Sequence, residues 1–555
     1  MADSSTQPLR RTQRAPRSCL QCSARKVKCD KAVPCATCIR RGNAEACVRE
    51  TVVVRGEVTR WDETRSSPSP STQELQDEVV RLRGELDALT RTHGASNTSS
   101  RQSPLAWRSR KQLLSDPLEE VLLQSIASST AVSKPRIHGW SDIILPNSRI
   151  SDELIAFDEV WNSWVHFALL YPVFRQECRN FSRDVQDISK IETVDPFWLS
   201  VYFSVLCASL LMMDDAQAEK LLRSENITLG VTDLCRTWYD AAVFCLHKAE
   251  FMRVPHICTL QTVAILGMCF NIFGDADLGS HLRKTAIRIG RRLGMDTGHS
   301  ERARPLSTEA QHRVWWTLLI VEWLTIPYEP SEVTEQDFAV PLPCPIDSAE
   351  RPSLHKVDPA HYHAFMARTA RVYHRFCRSV IYDSGPLEES VRAADDELAQ
   401  IIETLPDHLQ PDLSCSQMQE GECEEPWVTW QRFDVTLVLL HHRMAINRTL
   451  RHLWIKSPIQ YGWARVVSIR SATDIIWISQ NWNQPFTMRK QWALSSHLFS
   501  AALLLLRERK DLEDDQRAEY DDSIKNATSI LEQVASRNAF AYHALTVLMA
   551  EVNRL

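Results

Sequence analysis

The stretch from residue 19 to residue 47, "CLQCSARKVKCDKAVPCATCIRRGNAEAC", holds six of the 16 cysteines of a 555-residue chain. Their spacing is C-x2-C-x6-C-x5-C-x2-C-x8-C, which forms two similar halves joined by "DKAVP". A C-x2-C pair places two thiolates on one turn, where both can bind the same metal ion. The spacing therefore predicts a small module whose folding depends on metal.

The number of thiolates indicates two zinc ions. A tetrahedral zinc ion takes four ligands, so two ions need eight positions, which six thiolates can fill if two of them bridge. The similarity of the two halves makes Cys19 and Cys35 the natural bridges. No position is left for a water molecule, so we expect structural zinc and not hydrolytic zinc. The predicted ligands are Cys19, Cys22, Cys29, Cys35, Cys38 and Cys47.

Positive charge is concentrated in the same part of the chain. Residues 1–60 contain 13 Lys or Arg against 5 Asp or Glu, although the whole chain has a net charge of -6. A basic head of this kind predicts a polyanionic partner. The remaining cysteines, such as Cys207, Cys245 and Cys269, lie scattered in apolar segments and are predicted to be buried as small hydrophobic residues.

A short heptad pattern follows the cluster. Leu75, Val79, Leu82, Leu86 and Leu89 recur at intervals of four and three, which predicts a two-stranded coiled coil and a homodimer. The alternative is a short helix lying on its own domain, because the pattern spans only about two heptads. We predict a basic disordered tail at 1–18, the cluster at 19–47, a linker at 48–70, the coiled coil at 71–93, a disordered linker at 94–114 and an all-α domain at 115–555.

Helical patterns dominate the long region after residue 115. The apolar stretch 198–213 is slightly too short to span a bilayer, so we predict a buried core helix and no membrane segment. In "HLRKTAIRIGRRLG" an apolar face alternates with basic residues, which we interpret as a solvated face, and Gly294 is a candidate helix stop. Thr308 and Gln311 have the spacing of a capping box.

The amino terminus, "MADSSTQPLRRTQRAPRS", lacks the apolar core of a secretory signal, which predicts an intracellular chain. In a reducing compartment a regular cysteine cluster is more typical of metal binding than of disulfides. A redox thiol switch and a zinc module for protein interaction are the rival interpretations. The metal loop contains the cations Arg25, Lys26 and Lys28, which favour nucleic acid as the binding partner over these rivals.

An enzyme would need a catalytic site, and the candidate residues for such a site are weak. His441 with His442, or His355 with His361 and His363, could be read as metal clusters. No third ligand recurs at the spacing of a metal site, so the run around His441 is better explained as an amphipathic helix with exposed histidines. We therefore predict that the chain is not an enzyme.

The run "CSARKVKCDKAVPCATC" resembles the DNA-binding domain of fungal binuclear zinc cluster transcription factors. Two body segments, "TLQTVAILGMCFNIFGDADLGSHLRKTAIRIGRRLGM" and "EAQHRVWWTLLIVEWL", are similar to the helical middle homology domain of that family, within roughly residues 150–460. Two departures are visible. His312 and Arg313 stand where the family usually has an Arg pair, and Glu322 stands where an Asp is common.

The resemblance implies that the helix after Cys22 enters the major groove and reads a CGG-type triplet. Lys26 then matches the principal base contact, Arg25 is its neighbour, and Lys28 matches the phosphate contact. Lys or Arg facing guanine is indeed the commonest specific base contact. We also assign Arg17, in the basic tail, to DNA phosphates and nuclear entry.

The expected partners are double-stranded DNA, a second copy of the chain, and the transcription machinery or co-regulators. The expected compartment is the nucleus. By resemblance, the chain regulates RNA polymerase II genes of one metabolic pathway, and secondary metabolism is one candidate. No activation segment is visible in the sequence.

Overall fold

The structure is a computed structural model of the chain. It describes residues 11–12, 18–49, 53–54, 57–58 and 110–554, with gaps in the last range at 131–135, 186–187, 226, 299, 304–305, 326–329, 344–357, 384, 412–425 and 483–485. The chain divides into two compact units, Met1–Ser99 and Ser100–Leu555.

The first unit contains two one-turn helices and a small sheet. The helices are α1, Leu20–Ala24, and α2, Ala36–Arg40. The strands are β1, Arg11–Thr12, β2, Val53–Val54, and β3, Glu57–Val58, in the order β1-β2-β3. Strand β2 pairs parallel with β1 and antiparallel with β3. The coiled coil proposed at 71–93 lies outside the described residues and stays a prediction.

The second unit is built from helices, and its described residues contain no strand, which confirms the all-α prediction. In chain order the helices are α3 Pro117–Thr130, α4 Ser148–Phe157, α5 Ser163–His166, α6 Tyr171–Asp184, α7 Pro196–Met212, α8 Asp215–Ser224, α9 Val231–Lys248, α10 Ile257–Leu266, α11 Ala276–Leu293, α12 Thr308–Trp323, α13 Ala360–Tyr382, α14 Leu387–Glu403, α15 Pro426–Arg448, α16 Arg451–Trp454, α17 Pro458–Asn481, α18 Phe486–Arg489, α19 Trp492–Glu508, α20 Asp514–Ala535 and α21 Ala539–Val552.

Helix α7 forms the centre of the core. Asp195 caps it by accepting from the Phe197 amide at 2.9 Å, and Pro196 occupies the first turn, where its missing N–H costs nothing. Every residue from 199 to 212 is buried, and α7 packs against α9 and α10. This confirms the predicted core helix. Within the described residues, none of the helices combines the length and hydrophobicity needed to cross a bilayer.

Six of the scattered cysteines are buried as predicted, Cys258 is partly exposed, and Cys344, Cys415 and Cys423 lie outside the described residues. Cys207, Cys245 and Cys269 are each fully buried in the helical core. Burial raises the pKa of Cys207 well above its ordinary value and does the same for Cys245. Cys207 and Cys245 therefore stay protonated and behave as small hydrophobic side chains.

Helix α11 and the start of α12 differ in part from expectation. The apolar face of α11 is buried and Gly294 ends the helix at φ 83°, as predicted. However, the predicted solvated basic face is wrong for Arg283, which forms a buried ion pair with Glu322 at 2.9 Å. The N-cap of α12 is Ser307, which accepts from the Ala310 amide. The side chain of Gln311 instead bonds to backbone groups of the preceding loop.

The prediction of exposed histidines on α15 is wrong. His441 and His442 are both buried, because α15 is covered by α13, α14, α17 and α19. His363 is buried too, and its ring stacks on Phe167 with centroids 4.2 Å apart. His355 lies outside the described residues.

Helix α3, the first helix of the second unit, forms hydrogen bonds with helices that come much later in the chain. The Glu119 carboxylate accepts from the Arg448 guanidinium at 2.8 and 3.0 Å and from the Ser500 hydroxyl at 2.9 Å. One turn and a half further along, Ser125 bonds to His543 at 2.8 Å. Helix α3 is thereby tied to α15, α19 and α21.

Candidate metal centre and nucleic-acid interface

The two cysteine pairs begin two helices in the same way. Cys19 precedes α1 with extended backbone, and its sulfur accepts from the Cys22 amide at 3.4 Å. Cys35 precedes α2 with nearly the same dihedral angles, and its sulfur accepts from the Cys38 amide at 3.3 Å. An N-cap sulfur satisfies an amide that the helix itself leaves free. The repeat of this geometry gives the unit its pseudo-symmetry.

The six sulfurs form two overlapping groups of four. The members of each group lie within 4.8 Å of one another, and the groups are Cys19, Cys22, Cys29 and Cys35, and Cys19, Cys35, Cys38 and Cys47. The sulfurs of Cys19 and Cys35, which belong to both groups, lie 3.8 Å apart. Zinc–sulfur bonds of about 2.3 Å in a tetrahedron put the sulfurs about 3.8 Å apart. The donor set therefore fits two zinc ions that share two thiolates.

Cys22 and Cys47 need a cation in order to ionise, whereas hydrogen bonds from the Cys22 and Cys38 amides lower the pKa of the two capping thiols, Cys19 and Cys35. Burial raises the pKa of Cys22 to about 12, and burial also raises the pKa of Cys47. A bound metal ion deprotonates a coordinating thiol outright. Six thiolates with two zinc ions carry a net charge of about -2, which surrounding lysines and arginines offset. The basic composition of the module thus serves the metal centre as well as any outer partner.

Asp30 orders the loop between the two halves. Its carboxylate accepts from the Ala32 amide at 3.2 Å and from the Ala36 amide at 2.7 Å, at the start of α2. A carboxylate is favoured at a helix N-terminus because the free amides there are partly positive. This role was not recognised in the sequence, although Asp30 stands directly after a ligand cysteine and six residues before α2.

The segment from Cys22 to Cys29 presents three cations to solvent. Arg25, Lys26 and Lys28 are exposed, whereas Val27 packs against the cysteine cluster. Lys26 has a left-handed backbone with φ 53°, so the chain turns sharply after α1. Left-handed conformations cost a side-chain-bearing residue roughly 1–2 kcal/mol and are uncommon outside functional or tightly held positions. The geometry places the three cations in one outward-facing loop.

The structure thus brings together the predicted cysteines and the three predicted cations of the metal loop. Arg17 and the heptad residues Leu75, Val79, Leu82, Leu86 and Leu89 lie outside the described residues. Among the described histidines and carboxylates, no group joins the cysteines in a metal-binding arrangement.

Two family models match separate parts of the chain. Residues 17–52 match the fungal Zn(2)-Cys(6) binuclear cluster domain, and residues 163–411 match the fungal specific transcription factor domain. The first match covers all six cysteines. The second begins at α5 and ends before α15.

Similar proteins come from fungi. The chain is 22% identical to the agnestins biosynthesis cluster transcription factor AgnL11 of Paecilomyces divaricatus, over 96% of this chain and 84% of that protein. It is 25% identical to the aurofusarin cluster transcription factor aurR2 of Gibberella zeae, over 55% of this chain and 44% of that protein. A chain in the structure of the K. lactis CBF3 core has the same fold, with a TM-score of 0.53, 13% identity and coverage of 81% of this chain and 88% of that chain.

Proposed function

This chain is a fungal Zn(2)-Cys(6) transcription factor, and from that premise we propose that it reads CGG-type triplets in the major groove of DNA. Members of this class bind DNA and are not enzymes. The observation that supports the proposal best is the exposed Lys26 in a left-handed turn between two ligand cysteines. A lysine held there projects from a rigid metal loop, as base readout requires.

The binuclear cluster domain binds two zinc ions. We propose that Cys19 and Cys35 bridge them, that Cys22 and Cys29 complete one tetrahedron, and that Cys38 and Cys47 complete the other. The two sulfur groups described above support this assignment. Each tetrahedron is closed by thiolates, so the zinc has a structural role.

Lys26→Ala is expected to weaken binding to a CGG-containing site by about 1–3 kcal/mol and to relax sequence preference at one triplet. Alanine keeps the Cβ that the left-handed backbone already accommodates, so zinc content should not change.

Lys28→Ala should weaken binding to all sequences alike and lower the salt dependence, as loss of a phosphate contact does. Lys31→Ala is the matched control, because Lys31 is also exposed and left-handed, at φ 71°. Fluorescence anisotropy with intact and altered triplets measures all three variants. An equal loss from Lys26→Ala on every sequence contradicts base readout.

We propose that the chain binds DNA as a homodimer through residues 75–89. One cluster reads few base pairs, and coupling two clusters raises both affinity and site length. Leu82→Glu with Leu86→Glu should weaken binding to a two-triplet site while two zinc ions per chain are retained. Asp87→Lys, on the outer face of the same heptads, is the control. Gel-shift assays on inverted, everted and direct repeats of the triplet measure the binding. Undiminished binding by the double variant would exclude dimerisation through residues 75–89.

We further propose that the chain acts in the nucleus on RNA polymerase II genes of one secondary-metabolite pathway, together with transcription machinery or co-regulators. The names of the two similar proteins above, which refer to agnestins and aurofusarin gene clusters, support the pathway. The basic tail, including Arg17, supports nuclear entry. Genome-wide mapping of binding sites tests the proposal, and sites scattered over unrelated genes would contradict a pathway-specific role.

A further inference from the structure

A cavity of about 160 Å³ lies inside the helical unit, between helices α12, α13, α15 and α19. Most of its wall is apolar, and Met212, Met268 and Met366 form part of it. Methionine side chains adapt to the shape of an aromatic partner and make favourable sulfur–ring contacts. An engineered cavity of about 150 Å³ in another protein accepts benzene. The space therefore matches a single aromatic ring in size.

Three buried histidines also line this cavity, and each has an unsatisfied ring nitrogen. The atoms His363 Nδ1, His442 Nε2 and His497 Nδ1 have no hydrogen-bond partner in the part of the chain that the structure describes. Buried side-chain polar atoms in native proteins are nearly always paired, so three unsatisfied nitrogens on residues that line one cavity call for an explanation. Burial lowers the pKa of His363 and of His497 to about 3 and that of His442 to about 4, so all three rings are neutral near pH 7.

The partners of the other ring nitrogens identify two of the unsatisfied nitrogens as acceptors. His442 Nδ1 lies 2.7 Å from the Val438 carbonyl, which can only accept, so Nδ1 carries the proton and Nε2 presents a lone pair. The Thr317 hydroxyl has two carbonyls to which it can donate its single proton, Arg313 O at 2.9 Å and His166 O at 3.2 Å, so we assign it as the acceptor from His363 Nε2 at 3.3 Å. His363 Nδ1 is therefore also a lone pair. Both atoms require a donor.

The carboxylate of Asp434 in the cavity wall disfavours an anionic ligand. The Tyr362 hydroxyl donates to the Asp434 carboxylate, and burial raises the pKa of Asp434 to about 6, so this group is largely ionised near pH 7. No Lys or Arg is among the residues that line the cavity. A ligand carboxylate would face a negative charge without a cation to balance it, whereas a neutral hydroxyl would find acceptors.

We propose that this cavity is a binding site for a small uncharged phenol, that is, one aromatic ring with hydroxyl groups. The ring contacts the methionines and the aliphatic wall, and two hydroxyls donate to the lone pairs of His442 and His363. A site of this kind goes beyond DNA binding and does not depend on the proposed DNA target.

The site can be tested by titrating the full chain with resorcinol and measuring the heat of binding by isothermal titration calorimetry. Resorcinol should bind saturably with one molecule per chain. Toluene should bind about tenfold more weakly, because it fills the apolar space but leaves the acceptors without donors. Benzoate should show no binding. Absence of saturable resorcinol binding, or benzoate binding as tight as that of resorcinol, overturns the proposal.

Variants locate the ligand. His442→Phe keeps a ring against Tyr373, whose centroid is 4.6 Å away, but removes the acceptor, so resorcinol should bind about tenfold more weakly while toluene is unaffected. His374→Phe is the matched control, since His374 is buried on α13 against Trp323 and does not line the cavity. Val438→Phe should fill the space and abolish binding of both compounds, with folding checked by circular dichroism. Should Val438→Phe not fold, His442→Phe still decides, and an unchanged resorcinol affinity in that variant refutes the assignment.

Discussion

Replacing Cys35 with serine is expected to remove both zinc ions from the chain and to abolish sequence-specific DNA binding. The Cys35 sulfur belongs to both groups of four sulfurs, so its loss leaves three thiolates for each ion. It also caps α2 by accepting from the Cys38 amide. Structural zinc sites contribute roughly 10–16 kcal/mol of binding free energy, which a module without an apolar core cannot replace.

Cys47→Ser provides the matched comparison, because Cys47 belongs to only one of the two groups. Zinc per chain, measured after dialysis, should be near zero for Cys35→Ser and should be higher for Cys47→Ser. Cys207→Ser, in the core of the other unit, should leave two zinc ions per chain. Equal zinc content in the Cys35 and Cys47 variants would show that Cys35 does not bridge.

Glu119→Ala should destabilise the helical unit by about 3–5 kcal/mol, because it leaves the Arg448 guanidinium buried without its anion. The side chains of Glu119 and Arg448 are only 2% and 10% exposed. Asp474→Ala is the control, since it breaks the exposed pair of Asp474 with Arg470, which is worth about 0–1 kcal/mol. Urea unfolding of the full chain, monitored by tryptophan fluorescence, measures the shift in the urea concentration at the unfolding midpoint. Similar midpoints for the two variants would mean that α3 contributes little to stability.

The metal centre was accessible to sequence reasoning because its determinants are local. Six ligands within twenty-nine residues leave few ways to build two tetrahedra, and the repeated C-x2-C pairs make Cys19 and Cys35 the predicted bridges. Asp30 was missed because its effect comes from the fold of the loop, which brings its carboxylate to the start of α2. A single aspartate carries no spacing pattern of its own.

The histidines of α15 show where helical periodicity misleads. A helix that is covered on all sides has no solvent face, so His441 and His442 occupy positions that an amphipathic reading assigns to solvent. Arg283 was misread for a related reason. Its partner Glu322 lies on another helix, and only the packing of α11 against α12 makes a buried ion pair from two charges that look solvated in sequence.

The phenol-sized cavity was not predictable at all. Its walls come from helices that are separated by long stretches of chain, and each lining residue is ordinary in its own segment. Even the neutral state of His363 depends on burial contributed by other helices. Only the assembled core shows that three histidines with unsatisfied ring nitrogens line one cavity.

The contacts of α3 have a consequence for biosynthesis. Ser125 and its partner His543 are 418 residues apart, and Glu119 and Ser500 are 381 residues apart. At about 5–20 residues per second on the ribosome, α3 emerges roughly 20–80 s before its last partner is made. During that interval Leu122 and Ile126, which are buried in the finished protein, have no partner on α21 and need protection from aggregation. The nascent chain should therefore depend on chaperones until α21 has left the exit tunnel.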